Sequence, residues 1–253
     1  MNNGQAWLDD DFEALVFHGD CLRVMRDTLL GRERASAVIT DPPYASGATK
    51  EAGKVRASCQ GVRTDEWFDG DNMSTTGLVW LIREVCLEAR RLLVTGGSLL
   101  LFCDWRMLSQ LQGAVESTGL RVVNLIVWDK GHYGMGQGFR TQHELIIHAT
   151  KGVGSYHDAS IGNVITAQRV AHMRREHPTQ KPIALLRQLL RVVSPEGGVI
   201  VDPFCGSGSL GVAAMMEGRR FVGIEADERF ADVARGRIGA SRSDKRVQAC
   251  LFG

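Results

Sequence analysis

The tetrapeptide Asp41-Pro42-Pro43-Tyr44 joins a carboxylate, a pair of prolines and an aromatic ring. The prolines lack N–H donors and fix φ, so the segment is stiff and presents carbonyls rather than donors. Such a group suits a planar ligand bearing an amino group: the amino hydrogens face Asp41 and the Pro42 carbonyl while Tyr44 covers the ring. A rigid turn could use the same residues, but the position directly after an apolar run at 36–40 weakens that alternative. A second cluster, Asp202-Pro203-Phe204-Cys205-Gly206-Ser207-Gly208, follows the apolar run 199–201 and precedes a helical pattern. Gly206 and Gly208 permit a tight turn and close approach of a ligand, and a helix start offers N–H groups to an anion. Gly206, Gly208 and Gly211 also read as G-x-G-x-x-G, a weak signal that a purely structural turn would match as well. Glu225 closes the next apolar run, where a carboxylate can accept from both hydroxyls of a ribose; an ordinary exposed carboxylate is the alternative.

These groups need strands to end where they stand. Short runs rich in branched apolar residues alternate with helical patterns, as expected of parallel strands covered by helices on both faces. The predicted strands are 14–18, 36–40, 98–103, 122–128, 144–149, 199–201 and 220–224. The predicted helices are 76–93, 105–117, 182–193, 209–217 and 228–238. The expected fold is therefore α/β, a mostly parallel twisted sheet, in one domain spanning 1–253. Ligands of such sheets collect beyond the carboxyl ends of the strands, which is where the clusters fall. A loop at about 45–74 is too long for an ordinary connection and reads as a lid or binding loop. The polar, basic stretch at about 152–176 reads as an insertion on the scaffold.

The order and content of these motifs resemble the S-adenosylmethionine-dependent DNA amino-methyltransferases, in the permuted β group where the catalytic tetrapeptide precedes the cofactor glycines. His18-Gly19-Asp20-Cys21 looks like the family's N-terminal cofactor segment. Residues 140–151 (RTQHELIIHATK) look like its closing strand, and His177-Pro178-Thr179-Gln180-Lys181-Pro182 like its second cofactor motif. The resemblance implies a Rossmann-like methyltransferase fold with S-adenosylmethionine as cofactor. The turn from Asp202 through Gly206 and Gly208 would hold its methionine end, with Phe204 close to the cofactor. Glu225 would bind its ribose, Asp20 would meet its adenine amino group, and Cys21 would belong to the same cofactor segment. His177, Thr179 and Lys181 would close the methionine side. Asp41, Pro42, Pro43 and Tyr44 would hold a flipped target base, and no metal is required. Asp in the first position resembles the N6-adenine enzymes, whereas N4-cytosine members more often carry Ser there. Cytosine remains the alternative.

Composition bounds the partners. The formal net charge of the chain is +1, which argues only against tight indiscriminate binding to DNA. Basic residues are nevertheless concentrated at 166–191 and 235–246, a pattern that fits either phosphate contacts or a balanced solvated face. Lys50, Lys54, Arg56 and Arg63 in the long loop, Arg140, and Arg169, Arg174 and Arg175 in the insertion are the candidate contacts to double-stranded DNA. The insertion occupies the place of the family's target-recognition region, and its shortness predicts a short or loosely read site. The resemblance also admits a homodimer and a cognate restriction endonuclease as partners. The apolar stretch 92–103 is interrupted and too short to span a bilayer, and the acidic start at Asp9, Asp10 and Asp11 is unlike a signal peptide. A cytoplasmic protein without a membrane partner is expected. The cysteines are scattered without a C-x-x-C pair, which predicts reduced thiols. A nicotinamide-dependent dehydrogenase built on the glycine motif leaves Asp41 to Tyr44 without a role. An inactive DNA-binding regulator is opposed by the intact acceptor residues.

Overall fold

The computed structural model describes residues 6–7, 12–29, 34–43, 74–135, 137–169 and 181–252. In chain order its elements are β1 (Ala14–His18), α1 (Cys21–Arg23) running into a π-helical turn (Val24–Thr28), β2 (Ala35–Thr40), α2 (Thr75–Leu92), β3 (Leu93–Cys103), α3 (Leu108–Glu116) and β4 (Arg121–Asp129). They continue with β5 (His143–Thr150), β6 (Val164–Thr166), α4 (Ile183–Val193), β7 (Val199–Asp202), α5 (Ser209–Met216), β8 (Arg220–Glu225) and α6 (Glu228–Phe252). The strands form one eight-stranded sheet in the order β1-β8-β7-β2-β3-β5-β4-β6. The Asp41 strand thus lies beside the strand that leads into the glycine turn, although they are far apart in sequence, with Val38 in register with Val201.

The sheet is mostly parallel because its crossovers carry helices. Among the described strands β5 alone runs antiparallel, to both β3 and β4. Its connection from β4 contains no helix among the described residues, and a strand reached without a crossover returns as a hairpin. The central strands are continuous apolar runs, β7 being buried at every position, as a strand covered on both faces requires. Along β3, Leu99 and Leu101 enter one core with Leu78, Ile82 and Val85 of α2. Leu100 and Phe102 point the other way, into a second core with Leu185, Leu189, Leu210 and Ile238. This alternation divides the molecule into two helical layers around the sheet.

α2 begins at Ser74, whose hydroxyl accepts from Gly77 N at 3.1 Å and so caps the helix. It is the described end of the predicted 45–74 loop; residues 45–73 lie outside the described residues. The predicted insertion at 152–176 contributes a strand in its described part: β6 pairs parallel to β4 and buries Ile165. A three-residue strand was too short to register as a periodicity. α6 continues well past the predicted end at 238, because the residues directly after it, 239–246, are small or polar and carry no apolar stripe.

α5 is buried nearly all round, since it is wedged between α4, α6 and the sheet. Its Gly211 faces α6: a Cβ there would run into the Ile238 side chain and come within 2.8 Å of the Phe221 ring. Gly211, the last glycine of the G-x-G-x-x-G pattern, is therefore a packing residue. Gly211→Val is expected to cost about 1–3 kcal/mol by overpacking, measurable as a lower urea midpoint; an unchanged midpoint would show that the helices separate freely.

Cys21, Cys86, Cys103 and Cys205 are buried free thiols. Burial pushes the Cys86 thiol up to about 12, consistent with the packing role of an inert cysteine. Among the described residues no helix is long and apolar enough to cross a membrane.

Candidate active site

The ends of β1, β2, β3, β4, β7 and β8 and the start of β5 meet along one edge of the sheet, and the charged residues collect there. Asp202, the last residue of β7, is buried. Its Oδ1 accepts from Thr40 Oγ1 at 2.9 Å and from Phe204 N at 3.1 Å. The first bond ties the end of β2 to the end of β7, directly before Asp41; the second shapes the turn that follows. Gly206 and Gly208 both hold positive φ, 52° and 78°, a conformation that L side chains rarely adopt. At Gly208 a Cβ would also meet Ala234 Cβ at 2.9 Å. Arg237 of α6 braces the turn from outside by donating to Ser207 O at 2.7 Å and Ser207 Oγ at 2.8 Å.

Glu225 ends β8 with its carboxylate fixed by backbone amides: Gly206 N donates to Oε2 at 2.8 Å and Asp227 N to Oε1 at 3.0 Å. Each oxygen retains a further lone pair. The main chain of Glu225 also receives Gly19 N at 2.9 Å, which brings the 18–21 segment alongside. There Asp20 is exposed and caps α1, accepting from Arg23 N at 2.8 Å. Cys21 is buried beneath it, its thiol pushed up to about 12 by burial and by the Asp20 charge.

Asp41, Pro42 and Pro43 follow β2 into the same edge. The Asp41 carboxylate forms an ion pair with the Lys181 ammonium, which also lies 3.3 Å from Glu144 Oε2 and 5.0 Å from the centre of the Phe102 ring. Glu144 Oε1 in turn pairs with Lys130 at 2.8 Å. The result is an alternating row, Lys130, Glu144, Lys181, Asp41, leading from β4 through β5 to the end of β2. Burial opposes the charge on Lys181, but Asp41 and Glu144 hold its pKa above the ordinary lysine value. Burial likewise opposes charge on Glu144, yet Lys181 and Lys130 hold it below the usual carboxylate range. Glu144 and Lys181 are therefore both ionised at neutral pH.

Asp202 behaves differently. Burial pushes its carboxyl up to about 7, with the Asp41 and Glu225 charges adding to the effect and the Thr40 and Phe204 hydrogen bonds opposing it. An unfolded carboxyl of this type loses its proton near ~4. Between those values the unfolded chain has released a proton that the folded chain keeps, so this group lowers stability as pH rises from about 4 to about 7. Asp202→Asn retains an oxygen to accept both hydrogen bonds and removes the buried charge. It is expected to flatten the stability slope over that range and to raise Tm at pH 8. Melting curves across the range check this, and an unchanged slope would assign the pH dependence elsewhere.

Of the predicted site residues, the structure brings Asp41, Pro42, Asp202, Phe204, Gly206, Gly208, Glu225, Asp20 and Cys21 to one edge, with Lys181 beside Asp41. Tyr44, His177 and Thr179 lie outside the described residues, as do Lys50, Lys54, Arg56, Arg63, Arg174 and Arg175. Arg140 and Arg169 are exposed, and the Arg140 guanidinium lies 3.5 Å from the centre of the Tyr133 ring. Several other basic residues of the two rich stretches are engaged within the fold. Arg187 pairs with Glu217 at 2.6 Å, Arg191 with Asp158 at 2.7 Å and Arg235 with Asp232 at 2.7 Å. Sequence reasoning missed Lys130 and Glu144. Their signal was strand direction: β5 is antiparallel, so its beginning, not its end, faces the site.

Comparison with known proteins follows this geometry. A family described as DNA methylase matches residues 35–236. A protein of Escherichia coli (strain K12) named as a methylase, YubD, is 29% identical over 222 residues, covering 88% of each chain. The type II methyltransferase M2.DpnII of Streptococcus pneumoniae is 24% identical over 247 residues, covering 89% of this chain and 90% of its own. Among solved structures, M1.HpyAVI in complex with SAM superposes with TM-score 0.69 at 20% identity, covering 89% of this chain and 98% of that one. The PvuII cytosine-N4-specific DNA methyltransferase gives TM-score 0.69 at 15% identity, covering 91% and 92%. Both likenesses show a shared α/β methyltransferase fold.

Proposed function

The chain belongs to the N6/N4 DNA methylases, and on that premise we propose that it transfers the methyl group of S-adenosylmethionine to the N6 amino group of adenine in double-stranded DNA. The observation that carries this reading is the bond between Thr40 and Asp202. It sets an acceptor segment, Asp41 and Pro42, directly against a glycine turn and a ribose-type carboxylate.

The donor and acceptor set fits the cofactor. Glu225, fixed by backbone amides with acceptor capacity left over, suits a ribose diol. Exposed Asp20 beside it suits an adenine amino group, and the turn from Asp202 to Gly208 suits the methionine end. When bound, the cofactor supplies an electrophilic methyl group on a positively charged sulfur. The chain does the rest by positioning. An exocyclic amine is a poor nucleophile because its lone pair is delocalised into the ring. Acceptance of its two hydrogens by Asp41 and the Pro42 carbonyl favours a pyramidal nitrogen whose lone pair points at the methyl group. Lys181, already against Asp41, balances the charge of that carboxylate. The target base must leave the duplex to reach this edge, at a cost of roughly a few kcal/mol.

Adenine is preferred over cytosine because Asp41, rather than Ser, heads the tetrapeptide. Cytosine N4 is the second reading, since the same pair of acceptors fits either amine. Modified-base sequencing of DNA from cells expressing the protein separates them. Methylated adenine in a fixed sequence context is expected; methylated cytosine would move the assignment to N4, and unmodified DNA would remove it.

A further inference from the structure

The connection from β4 to β5 carries exposed apolar side chains that neither core nor site absorbs. Tyr133 is 59% exposed, Met135 90%, and Phe139 fully. The sequence from Lys130 to Gln142 contains no acidic residue, and glycines recur through it. Its stem is nevertheless built. Lys130 N donates to Gln142 O at 3.0 Å and Gly134 N to Thr141 O at 2.9 Å. Asp129 Oδ1 accepts from Gly131 N at 2.9 Å and from Gln142 Nε2 at 2.8 Å. The loop is thus a braced finger with apolar side chains on its outside. Its stem is also wired to the catalytic edge, because Lys130 begins the charged row that ends at Asp41.

We propose that this finger enters the duplex when the target base leaves it, Phe139 and Met135 filling the vacated stack while Arg140 and Tyr133 face the backbone beside it. The proposal rests on the DNA methyltransferase reading. A duplex that presents a base to Asp41 must lie across the edge from which the finger rises. Aromatic and methionine side chains stack on unpaired bases or wedge between base steps. The lack of acidic residues suits phosphate neighbours. A finger that only contacted phosphates would not need Phe139 in water.

The test uses the full chain and a duplex carrying the site found by modified-base sequencing. Met135→Ala/Phe139→Ala is assayed on the intact duplex and on one with an abasic site opposite the target adenine, where the pair is already open. The double variant is expected to lose kcat/KM on the order of 10- to 100-fold on the intact duplex, the worth of one stacked base, and to recover on the opened duplex. Its Tm and its binding of S-adenosylhomocysteine should match the parent, and the fluorescence rise of 2-aminopurine at the target position should be lost. Equal losses on both duplexes overturn the proposal, because the finger then contributes only affinity or structure. No loss on either overturns it too, and concentration-dependent association lost in the variant would assign the finger to a second copy. A parent that methylates neither duplex overturns the methyltransferase reading itself; an active parent with equal losses overturns the finger alone.

Discussion

Asp41→Ala is expected to lower methyl transfer on the order of 10²–10³-fold or more, the effect of deleting one preorganised electrostatic contact, while cofactor binding stays within a few-fold. The separation follows from where the groups lie. Asp41 directly follows β2, whereas the proposed cofactor residues Asp202 to Gly208 and Glu225 belong to β7, β8 and the turn between β7 and α5. Asp202 keeps its bonds from Thr40 and Phe204 whatever stands at 41. Asp41→Asn should fall between, because the amide retains one acceptor oxygen but loses the charge that faces Lys181. Titration calorimetry with S-adenosylhomocysteine beside a rate measurement checks both halves. Loss of binding together with rate would place Asp41 in the cofactor site instead.

Lys181→Met should have the largest effect on stability. It leaves Asp41 and Glu144, only 18% and 22% exposed, without the cation between them. Breaking a buried pair on one side costs about 3–5 kcal/mol, and the low end applies here because both carboxylates keep some water. For a domain of this size that is roughly 5–10 °C in Tm. The compensating change is Glu144→Gln in the same chain, which removes one of the stranded carboxylates and should recover part of the loss. Glu144→Gln alone should destabilise, because it strands the Lys130 and Lys181 charges. Non-additivity of the two changes in thermal melts is the signature of the row. Strictly additive losses would mean that Lys181 acts on Asp41 without Glu144.

Much of this site was legible in the residues. Prolines after a buried strand, glycines between a strand and a helix, and an acid at a strand end each report a local backbone requirement. Local requirements survive without knowledge of the rest of the fold. Glu144 was not legible, because its importance depends on β5 running backwards, and direction is decided by the connection that precedes it. Lys181 was recognised as a site residue by its motif, and folding sets its ammonium against Asp41 and Glu144. The basic stretches left two readings open for a related reason. Arg187, Arg191 and Arg235 fit a phosphate footprint along the chain, but their partners Glu217, Asp158 and Asp232 arrive from other elements or from an adjacent helix turn. Charge counted along a sequence cannot see such neutralisation in space.

Incubation of the purified chain with methyl-labelled S-adenosylmethionine and DNA from an unmodified source, followed by hydrolysis and separation of the nucleosides, shows which base, if any, receives the methyl group. Label is expected in N6-methyldeoxyadenosine, present with the parent and lost with Asp41→Ala. Label in no nucleoside, or the same incorporation from both chains, would contradict this expectation.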